Sequence, residues 1–157
     1  MKELNVTTNY QIADYDELTP LQKKLVDEAK AATFRAYAPY SKFKVGAAIA
    51  LDNGEIVVGS NQENAAYPSG TCAERSACYY AHARYPEAKF TAIAIAARGT
   101  DDRWLTIPAS PCGACRQALV EYETLAQHNV EVLLVGDKDI YIIPSVKALL
   151  PFAFTEF

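Results

Sequence analysis

The sequence predicts an α/β domain layered around one mixed sheet, and three observations point there. Five short apolar runs with strand character alternate with helical runs in the order helix, hairpin, helix, strand, helix, strand, strand. The run at 90–97 is almost continuously apolar, as expected of a strand covered on both faces. The chain has 157 residues, 50% of them hydrophobic and 22% charged. That suits one domain burying roughly 68–70% of its unfolded surface without help from disulfides.

Residues 1–17 carry little pattern and read as an N-terminal extension, and 18–157 read as a single domain. Thr19-Pro20-Leu21-Gln22 reads as a capping box with proline at the first helical position, so a helix begins there. Leu21, Leu25, Ala29, Ala32 and Ala36 recur at three- and four-residue steps, which gives this helix one buried face, and Pro39 ends it. Residues 45–51 and 55–60 read as strands joined by the turn Asp52-Asn53-Gly54. A loop over 61–71 leads to a helix that begins near Cys72, runs through Arg75, Ala77 and Ala81, and stops before Pro86. The strand at 90–97 follows, and a further helix opens at the Cys112 run and reaches Leu125. Strands at 130–135 and 140–143 and a short final helix at 146–150 complete the order. No repeat, low-complexity tract or linker divides the chain.

The formal net charge of −4 and the pI near 5.2 argue against a polyanionic partner. A nucleic-acid binder carries a basic stripe, and the longest basic run here is Lys23-Lys24. A small neutral substrate fits this balance better. No stretch approaches the ~18 uninterrupted apolar residues of a membrane span, and residues 1–16 lack the apolar segment of a secretory signal. The cytoplasm is therefore the expected location, where closely spaced cysteines serve metal binding or catalysis rather than disulfides.

Two short runs carry the chemistry: Thr71-Cys72-Ala73-Glu74-Arg75 and Ser110-Pro111-Cys112-Gly113-Ala114-Cys115-Arg116-Gln117. Each is placed to open a helix. Cys112 and Cys115 are three apart, so both sulfurs fall on one face of a first helical turn. With Cys72 they make three thiolates, which bind one zinc ion and leave its fourth position free for water. Two helix N-termini converging on the site each present about half a positive charge, which helps keep the sulfurs ionised. Glu74, two positions from the first thiol, is close enough to move that water's protons without binding the metal. Arg75 is the candidate for a hydrogen bond to a thiolate sulfur. The arrangement is suited to hydrolysis.

Plainer readings stand beside this one. A closed structural zinc site needs a fourth ligand, and the candidates are poorly placed. Cys78 is roughly 240° around the helix from Cys72, His82 is about 15 Å along it, and His128 follows the other helix's end. A redox Cys-X-X-Cys leaves the Cys72-Ala73-Glu74 run without a purpose. Alone, Glu74 is a solvated first-turn carboxylate, Phe43 and Phe154 are core packing, and Asn61 and Glu63 are ordinary loop residues.

From about Tyr37 to Phe154 the sequence resembles the zinc-dependent cytidine deaminases, which pair a ligand-X-Glu run with a later Pro-Cys-X-X-Cys. Cysteine at position 72, where polynucleotide-acting members commonly carry histidine, resembles the short free-nucleoside branch. That likeness implies a three-layer α/β/α domain with one mixed five-stranded sheet, one zinc per subunit, and a homotetramer whose sites are completed across subunits. Tyr40-Ser41-Lys42-Phe43-Lys44-Val45-Gly46-Ala47-Ala48 resembles the first-strand signature, which implies that Phe43 packs on the pyrimidine ring. Asn61-Gln62-Glu63-Asn64-Ala65 resembles the ribose-binding stretch, with Asn61 and Glu63 on the sugar hydroxyl and Tyr67 near the 5′ end. Leu149-Leu150-Pro151-Phe152-Ala153-Phe154 resembles the C-terminal signature, in which an aromatic, here Phe154, reaches a neighbour's site. The resemblance also implies that the Ala73 backbone N–H holds the pyrimidine O2 and that the Ser110 carbonyl receives ammonia.

The function so implied is hydrolytic deamination of cytidine and deoxycytidine to uridine and deoxyuridine in pyrimidine salvage. Three rivals remain: deamination of another aminopyrimidine nucleoside, a non-catalytic zinc-stabilised binding module, and a polynucleotide editor, which the acidity disfavours. The segment 98–109 is longer than short family members require, and residues 1–17 have no counterpart with an assignable role.

Overall fold

In the computed structural model, which describes residues 1–156, Thr19 caps α1 (Pro20–Ala32) as the sequence predicts. The Gln22 N–H donates to Thr19 Oγ1 at 3.3 Å, and the Thr19 N–H donates to Gln22 Oε1 at 2.9 Å. Leu25, Val26, Ala29 and Ala32 form its buried face, while Leu21 is 47% exposed and Ala36 lies beyond the helix, half-buried. The helix ends before Pro39, in a 3-10 turn at Thr33–Arg35.

The strands are β1 (Gln11–Ala13), β2 (Lys44–Leu51), β3 (Ile56–Ser60), β4 (Phe90–Arg98), β5 (Glu131–Val135) and β6 (Ile140–Ile143). They form one sheet in the order β1-β6-β5-β4-β2-β3, antiparallel except for the β4–β5 pair. The remaining helices are α2 (Ala73–Arg84) and α3 (Gly113–Ala126), and α3 is the crossover between the two parallel strands.

The sheet has six strands rather than the expected five. The extra one, β1, comes from the N-terminal extension and pairs antiparallel with β6, with Gln11 opposite Ile142 and Ala13 opposite Ile140. Three residues, mostly exposed, are too few to show a period of two in sequence. Thr8 Oγ1 donates to the Ala148 carbonyl at 2.7 Å, and Tyr10 lies against Tyr141 with ring centroids 5.2 Å apart. The expected final helix is a single 3-10 turn, Lys147–Leu149.

Alternation along the strands sorts two cores. Ala48, Ala50, Ala92, Ala94, Ala96 and Leu133 face α1, while Ala47, Ile49, Ile93, Ile95, Val132 and Leu134 face α2 and α3. The three layers of the predicted architecture are therefore present. Small side chains bring the helices close. A Cβ at Gly59 would lie 2.6 Å from both the Ala73 carbonyl oxygen and the Ala77 nitrogen, so β3 and α2 meet there backbone to backbone.

The segment 98–109 doubles back on β4. Gly99 N–H donates to the Arg103 carbonyl at 2.8 Å, Arg98 bridges to Trp104, and Asp102 adopts φ 64°. Arg98, only 8% exposed, donates to Thr33 Oγ1 at 3.0 Å and to Asp102 at 3.1 Å, beneath the Phe34 ring. Asp102 also pairs with Lys44, so this connection pins the start of β2 before it delivers Ser110.

Candidate metal centre and substrate cleft

Cys72 is the N-cap of α2 and Cys112 the N-cap of α3, and neither sulfur is used for capping. Cys115 follows one turn into α3 and is buried. Gly59 lets α2 seat its first turn directly on β3, and the crossover from β4 sets the start of α3 beside it. Cys72 and Cys112 sulfurs are 3.9 Å apart, Cys112 and Cys115 sulfurs 3.5 Å, and all three lie within 4.8 Å of one another.

Zinc–sulfur bonds of about 2.3 Å in a tetrahedron put sulfurs about 3.8 Å apart, so the observed spacing fits that ion. The electrostatics fit as well. Arg75 donates from Nη2 to Cys72 Sγ at 3.8 Å, and its Nε is buried with no hydrogen-bond partner among the described residues. A hydrogen bond from the Cys115 thiol, with Arg75 adding to it, pulls the Cys72 thiol down to about 5 against the cost of burial. The same contact pushes Cys115 up, and the Cys72 sulfur raises Arg75. This is a site built for shared negative charge. Cys78 is elsewhere, fully buried, with its thiol pushed up to about 12 by burial and donating to the Arg75 carbonyl.

Glu74 is 4% exposed, and burial raises its carboxyl above the usual range, with the Cys72 charge adding to the effect. It lines a cleft of about 630 Å³ together with Cys72, Arg75 and Cys112. Of the other sequence-predicted residues, Phe43, Asn61, Glu63, Tyr67 and Ser110 line the same cleft. Ala73 is fully buried at the first position of α2 and is not among the lining residues described. Phe154 is 66% exposed and stands apart from the cleft of its own chain, where Gln117 Nε2 donates to its carbonyl at 2.8 Å.

Asn61 clips the entry to β2. Its Oδ1 accepts from the Val45 N–H at 2.8 Å, and its Nδ2 donates to the Phe43 carbonyl at 2.9 Å. Glu63 does the same for the preceding turn, accepting from the Tyr40 N–H at 2.8 Å and from the Ser41 N–H and hydroxyl. The Ser41 bond, then those backbone donors, holds the Glu63 carboxyl below its ordinary value despite some desolvation. Tyr40 and Tyr67 rings stand 6.0 Å apart at one side of the cleft.

Tyr40, Gln62 and Thr71 also line the cleft without having been singled out in sequence. Their signal was only membership of runs already noted. Arg116, Gln117 and Glu123 also escaped notice as connectors, because their partners are backbone atoms, with the Ser145 hydroxyl added for Glu123, that no side-chain motif reveals.

Residues 20–129 match the family described as "Cytidine and deoxycytidylate deaminase zinc-binding region". The chain is 40% identical over 134 residues to a cytidine deaminase of Sporosarcina psychrophila, spanning 85% of this chain and 91% of that one. It is 41% identical over 135 residues to a cytidine deaminase of Halalkalibacterium halodurans, spanning 85% and 94%. Among solved structures it is similar to the cytidine deaminase from Burkholderia pseudomallei, with TM-score 0.72, 39% identity, and 87% of this chain and 100% of that one covered. The cytidine deaminase from Mycobacterium tuberculosis matches with TM-score 0.67 and 30% identity over 86% and 98%.

Proposed function

The chain belongs to the zinc-binding cytidine and deoxycytidylate deaminase family of hydrolases, and from that premise we propose that it converts cytidine and deoxycytidine to uridine and deoxyuridine, releasing ammonia. One observation carries the reading. Three sulfurs at zinc spacing sit at a cleft that also contains a buried carboxyl, Glu74.

Cys72, Cys112 and Cys115 would hold the zinc, one ion per subunit. When bound, zinc lets water ionise near neutral pH. Glu74 takes one proton from the water that adds at C4 and delivers it to ring N3; it then takes the remaining proton of the new C4 hydroxyl and passes it to the amine, so that ammonia departs as the C4 carbonyl forms. N3 protonation makes C4 more electrophilic and leaves the tetrahedral adduct with a neutral ring. Proton transfer of this kind contributes ~10²–10⁴-fold to rate. Arg75 holds the thiolate charge in check. Phe43 packs on the pyrimidine, the Ala73 N–H holds O2, and the Ser110 carbonyl accepts from the leaving ammonia. Asn61 and Glu63 take a sugar hydroxyl, and Tyr67 closes the 5′ side.

The cleft favours an unphosphorylated nucleoside. Its lining carries Glu63 and Glu74, and its one cation among the described residues, Arg75, is engaged with Cys72. A 5′-phosphate would enter without a counter-charge. We assign residues 18–157 to the catalytic domain and 1–17 to an extension, place the enzyme in the cytoplasm in pyrimidine salvage, and expect a homotetramer in which Phe154 completes a neighbour's site. No helix among the described residues is long and apolar enough to cross a membrane.

The test is ammonia and uridine release from cytidine by purified protein, before and after chelation and after zinc is restored. Turnover that survives complete metal removal would end this reading.

A further inference from the structure

Cys112 is the most exposed of the three sulfur donors, and its side chain makes no capping bond, so its placement depends on the short loop that precedes α3. That loop is held from the helix side by one residue. The Arg116 backbone N–H donates to the Cys112 carbonyl at 2.9 Å, and its Nε donates to the Pro111 carbonyl at 2.8 Å. Pro111 is buried, so its carbonyl requires a donor there. The other arm of the same guanidinium, Nη1, donates to the Leu149 carbonyl at 2.9 Å. One planar fork therefore joins the loop carrying Cys112 to the C-terminal segment. The next residue, Gln117, extends the join by pairing with both backbone groups of Phe154, at 2.8 and 3.3 Å.

We propose that Arg116 is a positioning residue for the metal: by fixing the Pro111 carbonyl against the Leu149 carbonyl, it holds the Cys112 sulfur in register with Cys72 and Cys115. The inference rests on those three sulfurs binding zinc. Without Arg116 the buried Pro111 carbonyl loses its donor, and the Ser110–Cys112 turn is free to rotate toward other partners. Cys112, the outermost ligand, then leaves first. Lysine cannot replace the fork, since one ammonium on a flexible stem reaches either carbonyl without fixing their separation.

The experiment uses the zinc-loaded full chain, its Arg116→Gln and Arg116→Lys variants, and Glu123→Gln as a control. Glu123 binds the Ser145 hydroxyl and the Val146 and Lys147 N–H groups and makes no hydrogen bond to the loop of Cys112. Zinc release into excess chelator is followed with a coloured zinc indicator, alongside kcat and KM for cytidine. Loss of an outer-shell partner costs ~10–100-fold in metal affinity or activity. Release from Arg116→Gln should quicken by that factor, Arg116→Lys should fall between it and the parent, and kcat should drop while KM changes by less than about twofold. Glu123→Gln should release zinc at nearly the parental rate. If Arg116→Gln does not fold, Arg116→Lys decides alone. Release at the parental rate from that variant, or equal acceleration by Glu123→Gln, overturns the proposal. A parent that turns over cytidine while its Arg116 variants keep zinc as firmly rejects the positioning role alone. A parent that binds no zinc rejects the function as well.

Discussion

Replacing Gly59 by alanine tests whether the backbone contact between β3 and α2 sets the geometry of the metal centre. The added Cβ would lie 2.6 Å from the Ala73 carbonyl oxygen, 2.6 Å from the Ala77 nitrogen and 3.0 Å from the Ala77 Cα. Ordinary contact begins at 3.4 Å, and every atom named belongs to the backbone, so no rotamer relieves the clash. The first turn of α2 must retreat by about 0.8 Å, the difference between those distances. That turn carries Cys72 at its cap and the buried Glu74. Overpacking of this kind costs about 1–3 kcal/mol of stability. A misplacement near 1 Å at reacting groups costs ~10²-fold in rate, equivalent to about 2.7 kcal/mol of barrier. The assay is uridine formation with zinc content measured on the same sample, and urea denaturation of the zinc-loaded protein. The expected variant is folded, less stable, and slower in kcat by one to two orders of magnitude. A kcat within threefold of the parent, with an unmoved urea midpoint, would show that α2 is not located by this contact.

Glu74→Gln should keep its zinc yet lose at least ~10²-fold in kcat, because the amide cannot accept the water's proton; substantial turnover removes the proton-shuttle role. Chelated protein should expose two rapidly alkylated thiols, Cys72 and Cys112, while Cys78 and Cys115, both fully buried with their thiols pushed up, react only on unfolding; peptide mapping that finds Cys78 labelled in the native state contradicts this. Glu123 is 3% exposed and accepts from Val130, Val146 and Lys147 N–H groups and from the Ser145 hydroxyl. Glu123→Ala should therefore lower the unfolding free energy by about 3 kcal/mol or more, and a change under about 1 kcal/mol refutes the assignment. The Glu63 carboxyl is held below its unfolded value by Ser41, so its contribution is complete above the unfolded value and is lost only as pH falls through the lower, folded one. KM for cytidine should then stay flat from about pH 8 to about pH 5, and a rise already at about pH 6.5 would exclude this tether as its cause.

Much of the molecule was legible because its signals are local or covalently close. The Thr19–Gln22 capping box and the Asp52-Asn53-Gly54 turn between two strands each need only a few neighbouring residues. The sulfur cluster was legible in part because helix geometry converts the spacing of three between Cys112 and Cys115 into one face. β1 was not, since three residues cannot display a period and its edge position follows from where β6 ends. The course of 98–109 depended on Arg98 being buried against Thr33, 65 residues away in sequence, and nothing in the segment announces that partner. Glu123 drew no reading from the sequence because its four donors are backbone and hydroxyl groups brought together only by the tertiary fold.

In the proposed function Asn61 and Glu63, which line the cleft, carry two duties at once, and this constrains how the site works. Asn61 spends its carbonyl oxygen on Val45 and one amide hydrogen on Phe43. An amide has two such hydrogens, so one remains. Glu63 offers about four lone-pair sites and gives them to the Tyr40 N–H and to the Ser41 N–H and hydroxyl, which leaves room for a further donor. One remaining N–H and one remaining acceptor are what a single hydroxyl needs. In the proposed function that hydroxyl belongs to the sugar, and the bonds that receive it are made by Asn61, which holds the carbonyl of the proposed ring-stacking residue Phe43, and by Glu63, which holds the preceding turn at Tyr40 and Ser41. In that reading, sugar recognition and base stacking are mechanically joined through residues 40–45. Removing Asn61 must loosen Phe43, and a double-mutant cycle between the two positions should show an interaction energy above about 0.5 kcal/mol in kcat/KM. Strict additivity would mean that the ring and the sugar are held by independent parts of the cleft, and that Asn61 acts on the hydroxyl alone.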